Sequence, residues 1–181
     1  IDTKENYIVI DTTSDKGVEM VTNILTTTFG DSFDFAHMTI SNEPSEEMRS
    51  WLVDLDLPEN FALGQACNLI NNDDKAKINY KNHNLNDEKI VTYLGLGMDV
   101  DSIRMDWYDP EEDEGEQEKL SFTMNQALTI SAIKFHGIYR DQRNDSLMGV
   151  DEPTQAIEMD ADFTIMVGAF RDFFKDFFKI F

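Results

Sequence analysis

The chain has 181 residues, and 41% of them are hydrophobic, which is enough to bury a core in one large domain or two small ones. Its 36 acidic residues face 15 basic ones, so the formal net charge of −21 opposes attraction to nucleic acid or anionic lipid except at a local basic strip. The single cysteine, Cys67, excludes an intrachain disulfide and a cysteine-based metal cluster. The same cysteine count fits a reducing cytoplasm, and we expect neither a cofactor nor a bound metal. No apolar run is long enough to span a bilayer, so we expect no membrane partner.

The first 60 residues predict a β-α-β-α unit. Residues 7–11 form a short β-branched apolar run that predicts a strand, and the Thr, Ser and Asp residues after it are good helix N-caps. An amphipathic helix is predicted over residues 15–28, with Gly30 ending it. A second strand over residues 33–40 and a short helix over residues 43–52 complete the unit.

Residues 61–181 predict a hairpin, a helix and further sheet. The predicted strands cover residues 61–70, 75–81, 98–108, 119–124 and 128–135; a helix capped by Asn86 covers residues 87–96, and a Phe-rich helix begins near residue 152. The segment from Asp109 to Glu118, with seven acidic residues in ten, reads as a solvated loop. The fold class is α+β, with a mostly antiparallel sheet, flanking helices and a long C-terminal helix. The two parts, 1–60 and 61–181, could form one continuous domain, and the chain is expected to be a fragment of a longer protein.

The C-terminal helix carries an apolar stripe at steps of three and four residues, the spacing of one helix face. Its members are Phe163, Met166, Val167, Phe170, Phe173, Phe174, Phe177, Phe178 and Phe181. Core packing is the favoured interpretation, and a second copy could also cover Phe174, Phe177, Phe178 and Phe181 at the rim. A membrane surface is the poorest choice, since acidic residues offset the lysines on the polar side of this helix.

Three blocks occur in order along the chain: Ile1-Asp2-Thr3 with Tyr7-Ile-Val-Ile-Asp11, then Lys77-Ile-Asn-Tyr-Lys-Asn-His-Asn-Leu85, then Asp160-Ala-Asp-Phe-Thr-Ile-Met-Val-Gly168. Together they resemble the recombination-associated RdgC family of bacterial DNA-binding proteins, over essentially the whole chain. The last block is the closest match, resembling the family's terminal Asp-Ala-Asp-Phe-x-Leu-Met-x-Gly pattern. At Asn82 and His83 the chain departs from a family pattern of a basic residue followed by Gln or His, which weakens the case for DNA contact there.

The resemblance implies a ring-shaped homodimer that encircles duplex DNA with little sequence preference and restrains recombinase loading. It therefore implies duplex DNA and a recombinase as partners, and a location at the nucleoid. It also implies that the chain corresponds to the central and C-terminal part of such a protein, with the family's N-terminal portion absent. We expect no enzymatic activity, because a nucleophile elbow, a P-loop and a GxGxxG motif are all missing.

The densest basic and polar cluster in the chain comprises Lys75, Lys77, Lys81, Asn82 and His83. Phosphates accept hydrogen bonds from lysine and amide groups whatever the base, so this cluster suits binding without sequence readout. The competing interpretation is that these lysines are simply the solvent side of a hairpin strand. Further residues could extend the cluster only if folding brings them together: Lys89, Arg104, Lys134, His136, Arg140 and Arg143.

Two other functions stay open. An acidic interaction protein that copies the charge of DNA would explain the net charge of −21 and would bind a basic, DNA-handling partner. A Mg²⁺-dependent exonuclease would need carboxylate ligands, for which the candidates are Asp99, Asp101, Asp106, Asp160 and Asp162. Asp160 and Asp162 are more simply explained as residues that favour the positive end of the terminal helix dipole.

Overall fold

The computed structural model describes residues 1–12, 14–30, 33–36, 40–108, 118–136 and 152–181. The chain divides into two compact units, Ile1–Ser41 and Asn42–Phe181. The sequence analysis placed the division after residue 60, whereas the short helix that follows residue 43 contacts the sheet and is grouped with it. The acidic segment over residues 109–118 lies outside the described residues, apart from the backbone of Glu118.

The first unit is built on one helix, α1 (Asp15–Phe29). Ser14 caps its start by accepting a hydrogen bond from the backbone N–H of Gly17, and Gly30 ends it with a φ of 62°, a conformation that suits glycine. The strands predicted on either side of α1 are wrong for the described residues. Tyr7 pairs with Asp2 in an isolated bridge outside any strand, and residues 33–36 form no strand. A strand needs a neighbour for its backbone groups, and the described part of this unit offers none.

The second unit contains a five-stranded antiparallel sheet with the strand order β2-β1-β3-β4-β5. The strands are β1 (Phe61–Ile70), β2 (Lys77–Lys81), β3 (Asp99–Tyr108), β4 (Glu118–Asn125) and β5 (Ile130–Phe135). Every neighbouring pair is antiparallel. The predicted α+β class and its antiparallel sheet are confirmed, including the hairpin formed by β1 and β2.

The sheet has one apolar face and one polar face. Its apolar face consists of core side chains at alternate strand positions: Phe61, Cys67, Leu69, Val100, Ile103, Met105, Trp107, Leu120, Phe122 and Met124. The β1–β3 pairing shifts between Leu63 and Cys67 and between Asn68 and Leu69, and the second shift falls where the core positions of β3 pass from Val100 to Ile103. These irregularities explain the imperfect alternation of β3 in the sequence, because an extra residue in one strand moves the following side chains to the other face.

Helices α2 (Pro44–Val53) and α3 (Glu88–Gly95) bury apolar residues such as Trp51 and Ile90. The cap of α3 corrects the sequence prediction, because it is Asp87 and not Asn86 whose carboxylate accepts a hydrogen bond from the backbone N–H of Lys89, at 2.9 Å. Arg49 of α2 donates to the carbonyl oxygens of Leu94 (2.9 Å) and Met98 (3.4 Å). It thereby links α2 to the last turn of α3 and to the residue that precedes β3.

The long C-terminal helix, α4 (Glu152–Phe177), packs on the apolar face of the sheet. Phe173 is fully buried, with its ring centroid 5.0 Å from that of Phe122, 5.9 Å from Trp107 and 6.2 Å from Phe61. The edge-on arrangement with Phe122 and Trp107 is the geometry that aromatic quadrupoles favour. The predicted core role of the stripe is therefore confirmed for the second half of α4, while Phe163, earlier in the helix, is 60% exposed.

Three of the four phenylalanines named for an oligomer interface are already buried within one chain. Phe174, Phe177 and Phe181 are covered by their own chain, and only Phe178, at 37% exposure, retains a substantial surface.

Asp160 lies well inside α4, which corrects its expected position at the start of the helix. The effect of a helix dipole is confined to the first turn, so Asp160 does not interact with it.

Candidate nucleic-acid interface

The polar face of the sheet consists of the side chains that alternate with the core residues. On β2, Lys77, Asn79 and Lys81 are exposed, while Ile78 and Tyr80 between them are half-buried. Side-chain hydrogen bonds cross this face, since Asn79 donates to Asn68 of β1, and Asn68 donates to Ser102 of β3 at 2.8 Å. The amide groups at its centre are therefore satisfied by one another, and the lysines of the edge strand extend from it into solvent.

Lys77 and Lys81 lie on the polar face, about 13 Å apart along β2. The Nζ atom of Lys77 lies 3.1 Å from the carboxylate of Asp101 on β3, and the side chain of Lys77 is 59% exposed. Ion pairs this exposed contribute little, since salt and solvent screen them. Lys81 is exposed and forms no ion pair with a described carboxylate. The structure therefore brings two of the three predicted lysines to one face, with one of them unpaired.

Lys75 and Asn82 flank β2 at its two ends, and both have positive φ angles, 62° and 49°. Lys75 belongs to the turn after β1, where its backbone N–H donates to the carbonyl of Asn71 at 2.9 Å. Both side chains are exposed, and in the described residues neither has a hydrogen-bond or ion-pair partner for its side chain. Lys77 and Lys81 form a lysine row along β2, and Lys75 and Asn82 extend this row beyond the strand at either end.

His83 is held in place by three contacts. Its backbone N–H donates to the carbonyl of Gln65 at 3.1 Å, its Nε2 lies 2.8 Å from a carboxylate oxygen of Asp87, and its ring centroid lies 5.1 Å from that of Tyr80. Hydrogen bonds from the Lys89 backbone and from His83 hold the pKa of Asp87 below its ordinary value. Asp87 is thus ionised near neutral pH and would compete with a phosphate for the His83 ring.

Three other residues named from the sequence also reach the polar face. Arg104 of β3, Lys134 of β5 and His136 lie around Ser121 of β4: Arg104 donates to its hydroxyl, Lys134 is its partner in the strand register, and the His136 ring is 2.8 Å from its oxygen. Lys89 lies on α3 instead, and Arg140 and Arg143 lie outside the described residues. The alternation of polar with core residues along β3 and β4 indicates which side chains share this face, but not which of them meet around Ser121.

The acidic residues named as Mg²⁺ ligands are divided between β3 and α4. Asp99 accepts a hydrogen bond from Asn72 at 2.6 Å, Asp101 pairs with Lys77, and Asp160 lies on α4. In the part of the chain that the structure describes, no three His, Cys, Asp or Glu side chains are grouped so that they could hold a metal ion.

Cys67 is buried, and burial raises the pKa of its thiol to about 12, so it stays protonated.

Comparison with known proteins assigns the chain to a family. A family model described as "Putative exonuclease, RdgC" matches residues 1–181. The chain belongs to the RdgC family. Relatives named "Recombination-associated protein RdgC" from Mannheimia succiniciproducens and Actinobacillus succinogenes are each 30% identical to it, over 93% of the chain and 51% of the relative. One of the same name from Pseudomonas syringae pv. syringae is 26% identical, over 97% of the chain and 53% of the relative.

The chain spans about half the length of these RdgC relatives. The resemblance found in the sequence is confirmed, and the name of the relatives connects the family with recombination. Within the described residues, no helix is both long enough and apolar enough to cross a bilayer.

Proposed function

We propose that this RdgC-family chain binds duplex DNA without sequence preference and thereby restrains the loading of a recombinase. The DNA-contacting residues in this proposal are Lys75, Lys77, Lys81, Asn82 and His83. The observation that carries it is the row of exposed basic and amide groups along edge strand β2, in a chain whose net charge is −21. In the same proposal the DNA-bound form is a homodimer located at the nucleoid.

Screening allows such a row to attract a polyanion despite the charge of the whole chain. At physiological salt the Debye length is about 8 Å, so a phosphate next to Lys81 interacts mainly with the charges around it. Of the described carboxylates beside β2, Asp101 pairs with Lys77 and Asp87 pairs with His83, so Lys81 keeps its charge free for a phosphate.

The chemistry of the row favours contact with phosphate and not with base edges. Lysine ammonium groups act as point charges on flexible stems, and the amide of Asn82 can donate to any phosphate oxygen. β2 is an exposed edge strand, and among its described residues nothing projects that could enter a groove and read base edges. Binding through these groups therefore depends on the DNA backbone and on salt, and hardly on sequence.

The proposal is tested by titrating the 181-residue chain against two labelled duplexes of unrelated sequence while fluorescence anisotropy is recorded at several salt concentrations. We expect equal affinities for both duplexes and a linear fall of the logarithm of affinity with the logarithm of salt concentration. Lys81→Gln should weaken binding by up to about fivefold, the value of one exposed ion pair, while the matched variant Lys89→Gln on α3 should not. An absence of binding to either duplex at the lowest salt would overturn the proposal.

The net charge of −21 favours a second candidate, an acidic protein that mimics DNA. Such a protein would bind a basic, DNA-handling partner directly, would be displaced from it by added duplex, and would have no affinity for duplex itself. Gel filtration of the chain with a purified recombinase, with and without duplex, separates the two candidates. Co-elution that is lost on addition of DNA, without any complex between the chain and DNA, would favour the mimic.

The family description also names an exonuclease activity. A direct assay follows the degradation of end-labelled linear duplex with Mg²⁺ and with EDTA. We expect no degradation, and Mg²⁺-dependent shortening that is lost in Asp160→Asn would show that the chain is an enzyme.

A further inference from the structure

We propose that the polar face carries a second phosphate-binding position, in which Arg104 and Lys134 contact the phosphate while Ser121 and His136 position Arg104. This inference rests on the proposed function, because the phosphate would belong to the same duplex that contacts β2. It extends the contact surface from one edge of the sheet to the opposite edge.

Arg104 is held by a chain of side-chain hydrogen bonds. Its Nη2 donates to the hydroxyl of Ser121, whose oxygen lies 2.8 Å from Nε2 of His136. Ser121 is fully buried, so it cannot reach a ligand and acts only on the orientation of Arg104. A guanidinium has five N–H donors in a fixed fork, so donors remain for a phosphate after the bond to Ser121. Arg104 forms no ion pair with a carboxylate of the described residues.

Gly64 on β1 provides the space in which Arg104 lies. A Cβ atom at residue 64 would be 2.8 Å from Cγ of Arg104 and 3.0 Å from its carbonyl oxygen. Glycine weakens the interior of a strand, and its presence there often marks the close approach of another group. Here that group is the side chain and backbone of Arg104. The strand thus contains a residue of low strand propensity where the arginine needs room.

Lys134, on β5, lies on the opposite side of Ser121 from Arg104, which is on β3. It is the partner of Ser121 in the β4–β5 register, it is exposed, and no described carboxylate forms an ion pair with it. Lys119 of β4, whose carbonyl accepts a hydrogen bond from the His136 backbone at 2.9 Å, is buried. Asp106, the partner of Ser121 on β3, is the opposing charge. Among the described side chains around Ser121, Arg104 and Lys134 therefore lie beside one carboxylate, that of Asp106.

The distance between the two positions suits a duplex. With spacings of about 4.8 Å, β2 lies about 10 Å from β3, which carries Arg104, and about 19 Å from β5, which carries Lys134. A phosphate held between Arg104 and Lys134 is therefore a different one from a phosphate on β2. A duplex carries one charge per ~1.7 Å of its axis and has a major groove about 12 Å wide, so one duplex laid on this face offers phosphates to both. Arginine can grip a phosphate in a bidentate manner, which suits the fixed position of Arg104.

The test is the salt dependence of duplex binding by the 181-residue chain, because each phosphate contact contributes about 0.9 to the slope of the log–log plot. The double variant Arg104→Gln/Lys134→Gln should lower the steepness by about two and should weaken binding by several-fold at every sequence. Ser121→Ala keeps both cations but releases Arg104, so affinity should fall about two- to fivefold while the slope stays close to that of the wild type. Urea unfolding midpoints show whether each variant is folded. If variants with Arg104→Gln do not fold, the single variant Lys134→Gln, which changes only an exposed side chain, takes their place in the test.

The outcomes separate this inference from the proposed function. If the wild type binds duplex and Lys81→Gln weakens it, but both Lys134→Gln and the double variant match the wild type in affinity and slope, the second position does not exist and the proposed function stands. If the wild type binds no duplex, the proposed function fails and this inference fails with it. A lowered slope in the double variant, with Lys89→Gln unchanged, supports the second position.

Discussion

The two faces of the one sheet differ in what they contribute. On the apolar face, aromatic rings from β1, β3 and β4 close around Phe173 of α4, and their side chains are almost completely buried. On the polar face, β1 and β3 carry amide groups and an arginine, and the edge strands β2 and β5 carry exposed lysines. Because successive side chains of a strand point to opposite faces, neighbouring residues serve different purposes. A substitution should therefore change either stability or DNA binding, according to its face.

The largest effect is expected at the centre of the apolar face. Phe173→Ala should lower the free energy of unfolding by about 3–5 kcal/mol, because it removes a fully buried ring and leaves a cavity against Phe122 and Trp107. Urea denaturation followed by tryptophan fluorescence measures the change. The control, Phe163→Ala on the exposed half of the same helix, should stay within about 0.5 kcal/mol of the wild type. Equal losses in the two variants would contradict the assignment of the core.

The next effect is expected at Asp176, where α4 meets the sheet. Its carboxylate accepts hydrogen bonds from Lys179 (2.7 Å), Asn60 (3.0 Å) and the Trp107 indole (3.2 Å). Partial burial raises its pKa, but these hydrogen bonds outweigh that effect and hold the pKa below the ordinary value of 3.8. A lowered pKa stabilises the fold above the ordinary value, and this stabilisation is lost as the pH falls towards the pKa of the folded state.

Asp176→Asn should therefore cost about 1–3 kcal/mol at neutral pH, and its difference from the wild type should shrink as the pH falls below 3.8. Unfolding by urea at a series of pH values measures this difference. Asp160→Asn, an exposed position on the same helix, is the matched control and should show no such dependence. A difference that grows in acid would contradict the role given to Asp176.

On the polar face, the contact between Gly64 and Arg104 gives a smaller change. Gly64→Ala should destabilise the fold by about 1–2 kcal/mol, because the new Cβ would press on Cγ and the backbone of Arg104. Gly95→Ala, at the end of α3 with no atom within 4 Å of the new Cβ, should be neutral or slightly stabilising. Thermal unfolding of the two variants makes the comparison, and an unaffected Gly64→Ala would show that Arg104 does not need the space.

The smallest effect sharpens the contrast between the faces. Asp101→Asn removes the carboxylate that pairs with Lys77 and should strengthen duplex binding by up to about fivefold. Its unfolding free energy should change by less than about 1 kcal/mol, since the pair is exposed. Anisotropy titration and urea unfolding of the same sample measure both. Weaker binding in this variant would show that Lys77 needs Asp101 to hold its position.

The sequence predicted the second unit well because its signals are local. Alternating residues, turn residues and helix caps fix β1, β2, α2 and α3 within a few residues, and three- and four-residue steps identify the buried stripe of α4. The first unit was predicted less well, since a β-branched run such as residues 7–11 has strand propensity but no described partner strand. Strand pairing depends on residues that are distant in the sequence, so the strand propensity of one segment cannot predict whether that segment finds a partner.

The candidate site shows the same limit. The lysine row of β2 could be predicted because its members are close in sequence, whereas Arg104, Ser121 and Lys134 come together only through the register of three strands. Likewise, the burial of Phe174 and Phe177 within one chain depends on the position at which α4 crosses the sheet. The spacing on the helix could not distinguish that burial from a contact with a second copy.

The most direct measurement compares two triple variants that change the net charge equally. Lys75→Gln/Lys77→Gln/Lys81→Gln removes the row along β2, and Lys4→Gln/Lys16→Gln/Lys89→Gln removes three exposed lysines elsewhere. If the row contacts DNA, the first variant should lower the steepness of the salt dependence of duplex binding by about three, and the second should leave it unchanged. Equal slopes and equal losses of affinity in the two variants would contradict a DNA-binding surface at this edge of the sheet.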